Sequence, residues 1–230
     1  MIIVFDLDDT LYNEITFVKS GFQAVAEYIS NHYEINVNLF YQSLLNNLER
    51  FGRGVVFDTT LKEFNIFSKK LVYKCVSIYR LHKPNIKLGY EASLCLERLK
   101  PYNKYIVTDG NKIVQQNKVN ALQIDKYFKK IYITQRYGLE HAKPSPYCFT
   151  LIKREEKIPY ESIVYIGDNE NKDFVGIKPL GIKTIRIKQG MFKYINLNKE
   201  YKADIEINSL NEITIELLKN LVYGKKNSYR

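Results

Sequence analysis

The stretch Ile2-Ile3-Val4-Phe5-Asp6-Leu7-Asp8-Asp9-Thr10 decides how the rest of the chain is read. Its first four residues form an uninterrupted apolar run, too short for a helix and the right length for a strand buried on both faces. Asp6 and Asp8 follow at once, separated only by Leu7. Where a buried strand opens into a loop, two carboxylates at that spacing can point at one small volume. Their repulsion is costly unless a cation joins them or one of them takes a proton. Either solution is chemistry: a metal site, or a nucleophile beside an acid/base.

Beyond this strand the pattern turns helical for about seventy residues. Ile15, Val18, Phe22, Val25, Ala26 and Ile29 recur at spacings of three and four, followed by Leu44, Leu45 and Leu48. Phe51-Gly52-Arg53-Gly54 interrupts the run, a short helix is expected near Thr59, and a further one over 68–81 stops before Pro84. From residue 90 the chain alternates. Strands are expected at 105–108, 131–134, 163–166, 183–187 and 204–207. Helices are expected at 90–99, around Ile113, Val114 and Leu122, at 144–154, at 173–180 and at 210–221. Alternation of this kind implies a parallel sheet covered on both faces. The expected architecture is therefore a three-layer, Rossmann-like α/β core formed by residues 1–13 and 85–230. Residues 14–84 are expected to be an inserted α-helical cap.

Composition bounds the class. The chain has 230 residues, 45% of them hydrophobic and 26% charged, enough to bury a substantial core. No apolar stretch approaches the roughly 20 residues needed to span a membrane, and the N-terminus does not read as a signal peptide. Cys75, Cys95 and Cys148 show no paired metal-ligand spacing, and the odd count favours reduced thiols in a cytoplasm. The formal net charge of +10 raises the question of nucleic acid. Lys and Arg are spread along the whole chain, however, and the densest cluster, Lys225-Lys226 with Arg230, reads as a solvated tail. No nucleic-acid or membrane partner is expected; a net positive field instead assists encounter with a small anionic substrate. A monomer or homodimer is expected.

In open α/β sheets the ligand lies beyond the carboxyl ends of the strands. The polar residues expected there are Asp6 and Asp8, Thr108-Asp109-Gly110, and Gly167-Asp168 with Asp173 a turn further on. Lys143 stands just before Pro144 in Ala-Lys-Pro-Ser-Pro. Singly, each has an ordinary structural reading: Asp8 and Asp9 as helix caps, Asp109-Gly110 as a turn, Lys143 as an exposed lysine.

In this order, with a helical insertion after the first strand, the four pieces resemble the haloacid dehalogenase superfamily, in the branch with a small helical cap. The resemblance covers most of the chain, and that branch includes phosphoglycolate phosphatases, pyrimidine nucleotidases and acylneuraminate-9-phosphatase. It implies a Mg²⁺-dependent phosphatase of small phosphorylated metabolites, a sugar phosphate or a nucleoside monophosphate. Asp6 would be the nucleophile that carries an aspartyl-phosphate. Asp6, the backbone carbonyl of Asp8, and Asp168 would hold Mg²⁺, with Asp8 as general acid and then base. Thr108 and the backbone N–H groups of Asp109 and Gly110 would hold phosphate oxygens, with Lys143 stabilising the transferring group. Asp173 would orient Lys143 or ligate through water. Asp109 replaces the asparagine more usual in the family. Arg53, between two glycines in the expected cap, is a candidate contact for an anionic part of the substrate. A haloacid dehalogenase, a phosphomutase or a non-catalytic binding protein on the same fold remain alternatives. The acids beyond Asp6 argue against a dehalogenase, whose halide leaves without a proton or a metal.

Overall fold

The computed structural model describes residues 1–194 and 201–224. The basic tail at Lys225, Lys226 and Arg230 lies outside them. The chain forms two compact units, Met1–Glu14 with Lys87–Arg230, and Ile15–Ile86.

The second unit is helical. It is built from α1 (Glu14–Tyr33, whose first residue belongs to the other unit), α2 (Val37–Phe51), α3 (Val56–Glu63) and α4 (Lys69–Leu81). The apolar stripe of α1 supplies Val18, Phe22, Val25, Ala26 and Ile29 to a core shared with Phe40, Leu44, Phe57, Leu61 and Leu71. Fully burying each of the Val, Leu, Ile and Phe side chains stabilises by about 1.5–3 kcal/mol before entropy is counted. The side chains of Asn36 and Ser68 accept from backbone N–H groups at the starts of α2 and α4, which is why those helices begin there. Gly52, at φ 72°, ends α2, and Arg53 after it is exposed.

In the other unit, six strands form a sheet among the described residues: β1 (Ile2–Phe5), β2 (Lys104–Thr108), β3 (Lys130–Ile133), β4 (Ile163–Gly167), β5 (Lys183–Ile187) and β6 (Ile205–Ile207). Their order is β3-β2-β1-β4-β5-β6, with every neighbouring pair parallel. This is the Rossmann-like α/β architecture. It is accompanied by α5 (Tyr90–Arg98), α6 (Lys112–Leu122), α7 (Tyr147–Glu156), the four-residue α8 (Glu170–Asp173) and α9 (Ile215–Tyr223). Ile2 and Val4 of β1, Tyr105 and Val107 of β2 and Tyr165 of β4 pack with Cys148, Phe149 and Ile152 of α7 on one face.

β1 lies centrally, with the strand order running outward on both sides, so a crevice forms at its carboxyl end. Phe5 pairs with Ile106 of β2 and Ile166 of β4, and the Asp6 N–H donates to Ile166 O at 2.8 Å. The loops after β1, β2 and β4 therefore leave the sheet side by side.

Three expected helices differ from what forms. The one placed at Pro144 begins at Tyr147, because Pro146 disfavours helical backbone at Ser145. The one placed at 173–180 is replaced by α8 and a separate 3-10 turn, Lys178–Leu180. Gly176 approaches the Pro144 backbone there, and Pro179 lacks an N–H. The one placed at 210–221 is a 3-10 turn, Leu210–Glu212, followed by α9. Ser209 and Thr214 cap the two pieces separately.

Candidate active site

Asp6, the first residue after β1, is buried, as are Asp168 after β4 and Asp173 at the end of α8. Each offers a carboxylate oxygen, and these oxygens lie within 4.8 Å of one another. Burial pushes Asp6 up to about 7 against the opposing pull of the Lys143 ammonium. Burial, and then the charges of Asp6 and Asp173, push Asp168 up to about 9. Ionising all three in this space is unfavourable without added positive charge.

Lys143 supplies part of that charge. Its Nζ donates to Asp6 Oδ1 at 2.6 Å, to Asp173 Oδ1 at 2.7 Å and to the Tyr165 hydroxyl at 3.0 Å. The Tyr165 hydroxyl in turn donates to Asp173 Oδ1 at 2.9 Å. Burial works against a charged lysine, but Asp173 and Asp6 outweigh it and hold the ammonium well above its ordinary range. Asp173 Oδ2 accepts from the Asn169 N–H at 3.0 Å, so both its oxygens are engaged. A Cβ at Gly167 would lie 2.4 Å from that oxygen, so a glycine here lets Asp173 approach.

Among the described residues no hydrogen bond reaches Asp6 Oδ2 or either oxygen of Asp168. Two buried carboxylates thus keep acceptors without donors beside one ammonium. That donor set, all oxygen and all hard, fits a small divalent cation such as Mg²⁺.

The loop that carries Lys143 is tied down on two sides. Asp109 Oδ1 accepts from the Lys143 backbone N–H at 3.0 Å and from the Thr134 hydroxyl at 2.6 Å, so this oxygen anchors the lysine's backbone. On the other side, a Cβ at Gly176 would fall 1.7 Å from Pro144 O. Gly176→Ala is therefore expected to cost about 1–3 kcal/mol or more, read as a lower urea midpoint. Turnover should fall with it, because Pro144 adjoins Lys143.

Asp8 faces different partners. Its Oδ1 accepts from the Lys118 ammonium at 2.7 Å and the Tyr12 hydroxyl at 2.5 Å, and its Oδ2 accepts from Gln115 Nε2 at 2.9 Å. Burial opposes ionisation, but the Lys118 charge and these hydrogen bonds outweigh it and hold the carboxyl below its ordinary range. Gln115 Nε2 also donates to Thr108 Oγ1 at 2.6 Å, linking the end of β2 to the loop after β1. Gly110, at φ 126°, lets the chain turn from Thr108-Asp109 into α6. Asp9, at φ 50°, turns away from this group, and its Oδ1 accepts from Glu14 N at 2.8 Å at the start of α1.

The structure thus brings Asp6, Lys143, Asp168 and Asp173 into one cluster, with Asp8 and Thr108 joined by Gln115. Arg53 belongs to the helical unit. Gln115, Lys118 and Tyr165 are absent from the reading of the sequence. Tyr165 is masked by the apolar run of β4. Gln115 and Lys118 occupy the buried stripe of α6 together with Val119 and Leu122, whereas Ile113, one of the apolar residues that mark this helix in the sequence, is exposed. Polar residues spaced three apart on a helix that follows a strand-end motif are the signal that could have found them.

Known proteins agree with this architecture. A glyceraldehyde 3-phosphate phosphatase of Methanocaldococcus jannaschii is 29% identical over 229 residues, covering 95% of this chain and 97% of that protein. Its namesake in Pyrococcus furiosus is 30% identical over 225 residues, covering 92% and 90%. Among solved structures, a 2-haloacid dehalogenase of Pseudomonas syringae superposes with a TM-score of 0.62 at 19% identity, over 91% of this chain and 94% of that one. A putative HAD-hydrolase of Bacillus subtilis bound to magnesium gives 0.62 at 20% identity, over 96% and 97%. At such identities these two speak for the fold alone. Residues 3–187 match the sequence model described as haloacid dehalogenase-like hydrolase, a span that runs from β1 to the end of β5. With three buried acids around one lysine at the carboxyl ends of its central strands, the chain belongs to the haloacid dehalogenase-like hydrolase family.

Proposed function

We propose that this hydrolase is a Mg²⁺-dependent phosphatase of small phosphorylated metabolites, acting through an aspartyl-phosphate on Asp6. The observation that carries the reading is Asp168, a buried carboxylate without a donor among the described residues, within reach of Asp6. Halide displacement has no use for it, whereas phosphoryl transfer to a carboxylate needs the cation it would help to hold. The names of the archaeal relatives make a phosphorylated three-carbon sugar, glyceraldehyde 3-phosphate, the first substrate to assay, ahead of nucleoside monophosphates.

A carboxylate oxygen of Asp6 forms the new bond to phosphorus while the ester oxygen departs and takes a proton from Asp8. Asp8 then removes a proton from water, whose oxygen attacks phosphorus to release inorganic phosphate and restore the Asp6 carboxylate. The first step needs the proton on Asp8 and the second needs it off. Lys143 stays charged throughout and, held by Asp173 and Tyr165, offsets charge beside Asp6. Thr108, with the N–H groups of Asp109 and Gly110, takes phosphate oxygens. Mg²⁺, held when bound by Asp6, Asp168 and the backbone carbonyl of Asp8, supplies the positive charge that lets a dianionic phosphate approach carboxylates.

The assay is hydrolysis of p-nitrophenyl phosphate and glyceraldehyde 3-phosphate with Mg²⁺ and with EDTA. Turnover of both esters is expected with Mg²⁺ and none after chelation; metal-independent release of halide from a 2-haloacid, without ester hydrolysis, would overturn the reading. Arg53 is the proposed contact for an anionic substrate group. One lost charge-assisted hydrogen bond corresponds to a rise in KM of about tenfold in Arg53→Ala, measured on the preferred substrate; unchanged kinetics would remove Arg53 from the site. We place the enzyme in the cytoplasm, as a monomer or homodimer without nucleic-acid or membrane partners. The three cysteines are free and buried, and no helix among the described residues is long and apolar enough to cross a membrane.

A further inference from the structure

We propose that Lys118 and Gln115 are positioning residues for proton transfer by Asp8, holding its carboxylate in fixed register with the Thr108 hydroxyl. The inference rests on the phosphatase reading and adds to it two residues from α6.

Positions 115 and 118 share one face of the helix, and both side chains are buried, at 1% and 3% exposure. A helix that needed only to pack would carry apolar residues there. Burying an ammonium is costly unless it is paired, and Lys118 meets Asp8 Oδ1 at 2.7 Å and Glu14 Oε1 at 3.6 Å. The Gln115 amide donates both its hydrogens, one to Asp8 Oδ2 at 2.9 Å and one to Thr108 Oγ1 at 2.6 Å. Having accepted from Gln115, Thr108 keeps its own hydrogen for a phosphate oxygen. With Tyr12 also donating to Oδ1, both oxygens of Asp8 are fixed and the carboxylate cannot rotate freely. Its side chain still retains 21% exposure, an edge from which a proton can be passed. Proton transfer requires a reach of about 2.6–3.2 Å, so an Asp8 released from these donors would be present but misplaced.

The role separates from simple stability through the leaving group. Phenolate is a much poorer leaving group than p-nitrophenolate, so proton donation matters more for phenyl phosphate, an ester of nearly the same shape. The value of kcat/KM reports the steps through the first irreversible transfer. Lys118→Met, which keeps volume and removes the charge, is compared with Asp8→Asn and with the double variant, in saturating Mg²⁺. In Lys118→Met the ratio of kcat/KM for phenyl over p-nitrophenyl phosphate is expected to fall by about tenfold, a part of the roughly 10²–10⁴-fold that general acid–base catalysis contributes. Asp8→Asn should lower it further, and the double variant should fall no lower than Asp8→Asn, because both act through one carboxyl. Lys118→Arg should restore part of the ratio. Gln115→Met, which removes no charge and so threatens folding less, should shift the ratio in the same direction.

Equal losses on both esters, or a double variant whose loss is the product of the single ones, would overturn the positioning role while leaving the phosphatase reading intact. A wild type inactive on both esters with Mg²⁺ would overturn the phosphatase reading and the positioning role with it.

Discussion

Asp6→Asn is expected to fold normally and to lose at least about 10⁴-fold in kcat, the scale on which covalent nucleophiles fail when removed. The carboxamide cannot attack phosphorus, but its oxygen can still accept from Lys143, which also keeps its bond to Asp173 at 2.7 Å. Burial and two like charges already oppose ionisation of Asp6, so losing its charge relieves repulsion and should leave Tm unchanged or slightly raised. Steady-state hydrolysis of p-nitrophenyl phosphate and a thermal melt measure the two effects on one preparation. A variant with wild-type turnover would remove Asp6 from the chemistry. One that is inactive only because it is unfolded would show in the melt.

The second large effect is expected at Asp168. Asp168→Asn should stabilise the metal-free protein by roughly 0.5–2 kcal/mol, the scale of a single stabilising substitution. Asp168 is held up to about 9 by burial and by the charges of Asp6 and Asp173, so its ionised form is unfavourable in the metal-free fold. The wild type should gain stability from Mg²⁺, about 2.7 kcal/mol at a hundredfold excess over Kd, and the variant should gain far less. Activity should fall at least about a hundredfold, because a bound cation supplies several kcal/mol of charge stabilisation and each 1.36 kcal/mol is a decade of rate. Differential scanning calorimetry with and without Mg²⁺ tests the metal directly, apart from any assay of turnover. A destabilised variant that still responds fully to Mg²⁺ would place the cation elsewhere.

The parallel sheet is legible in the sequence because strands buried on both faces read as apolar runs. Ile2–Phe5 forms over the residues where its run places it, and Ile163–Gly167 runs one residue beyond its own. The helical segment is legible from its periodicity. Asp6, Lys143, Asp168 and Asp173, drawn from motifs far apart in sequence, meet because β1 and β4 are hydrogen-bonded neighbours. What is not legible depends on contacts across the fold. Nothing local in residues 173–180 announces that Gly176 must pass the backbone of Pro144. Nor does the composition of α6 reveal that Gln115 and Lys118 turn inward while Ile113 faces solvent. A hydrophobic stripe is a reliable guide only where the buried face has no polar task, and in α6 the inward positions meet Asp8 and Thr108. Asp109 is a related case: its acid reads as a turn or a phosphate contact, and one of its oxygens instead holds the backbone N–H of Lys143.

A covalent phosphoryl group at Asp6 is the central intermediate of the proposed reaction. Wild-type protein mixed with p-nitrophenyl phosphate and Mg²⁺, quenched in acid within the first turnover and digested, should yield a phosphorylated peptide containing Asp6. No such peptide should arise from Asp6→Asn or in the presence of EDTA. Release of p-nitrophenol at full rate with no phosphorylated peptide, or with the phosphoryl group on another residue, would contradict it.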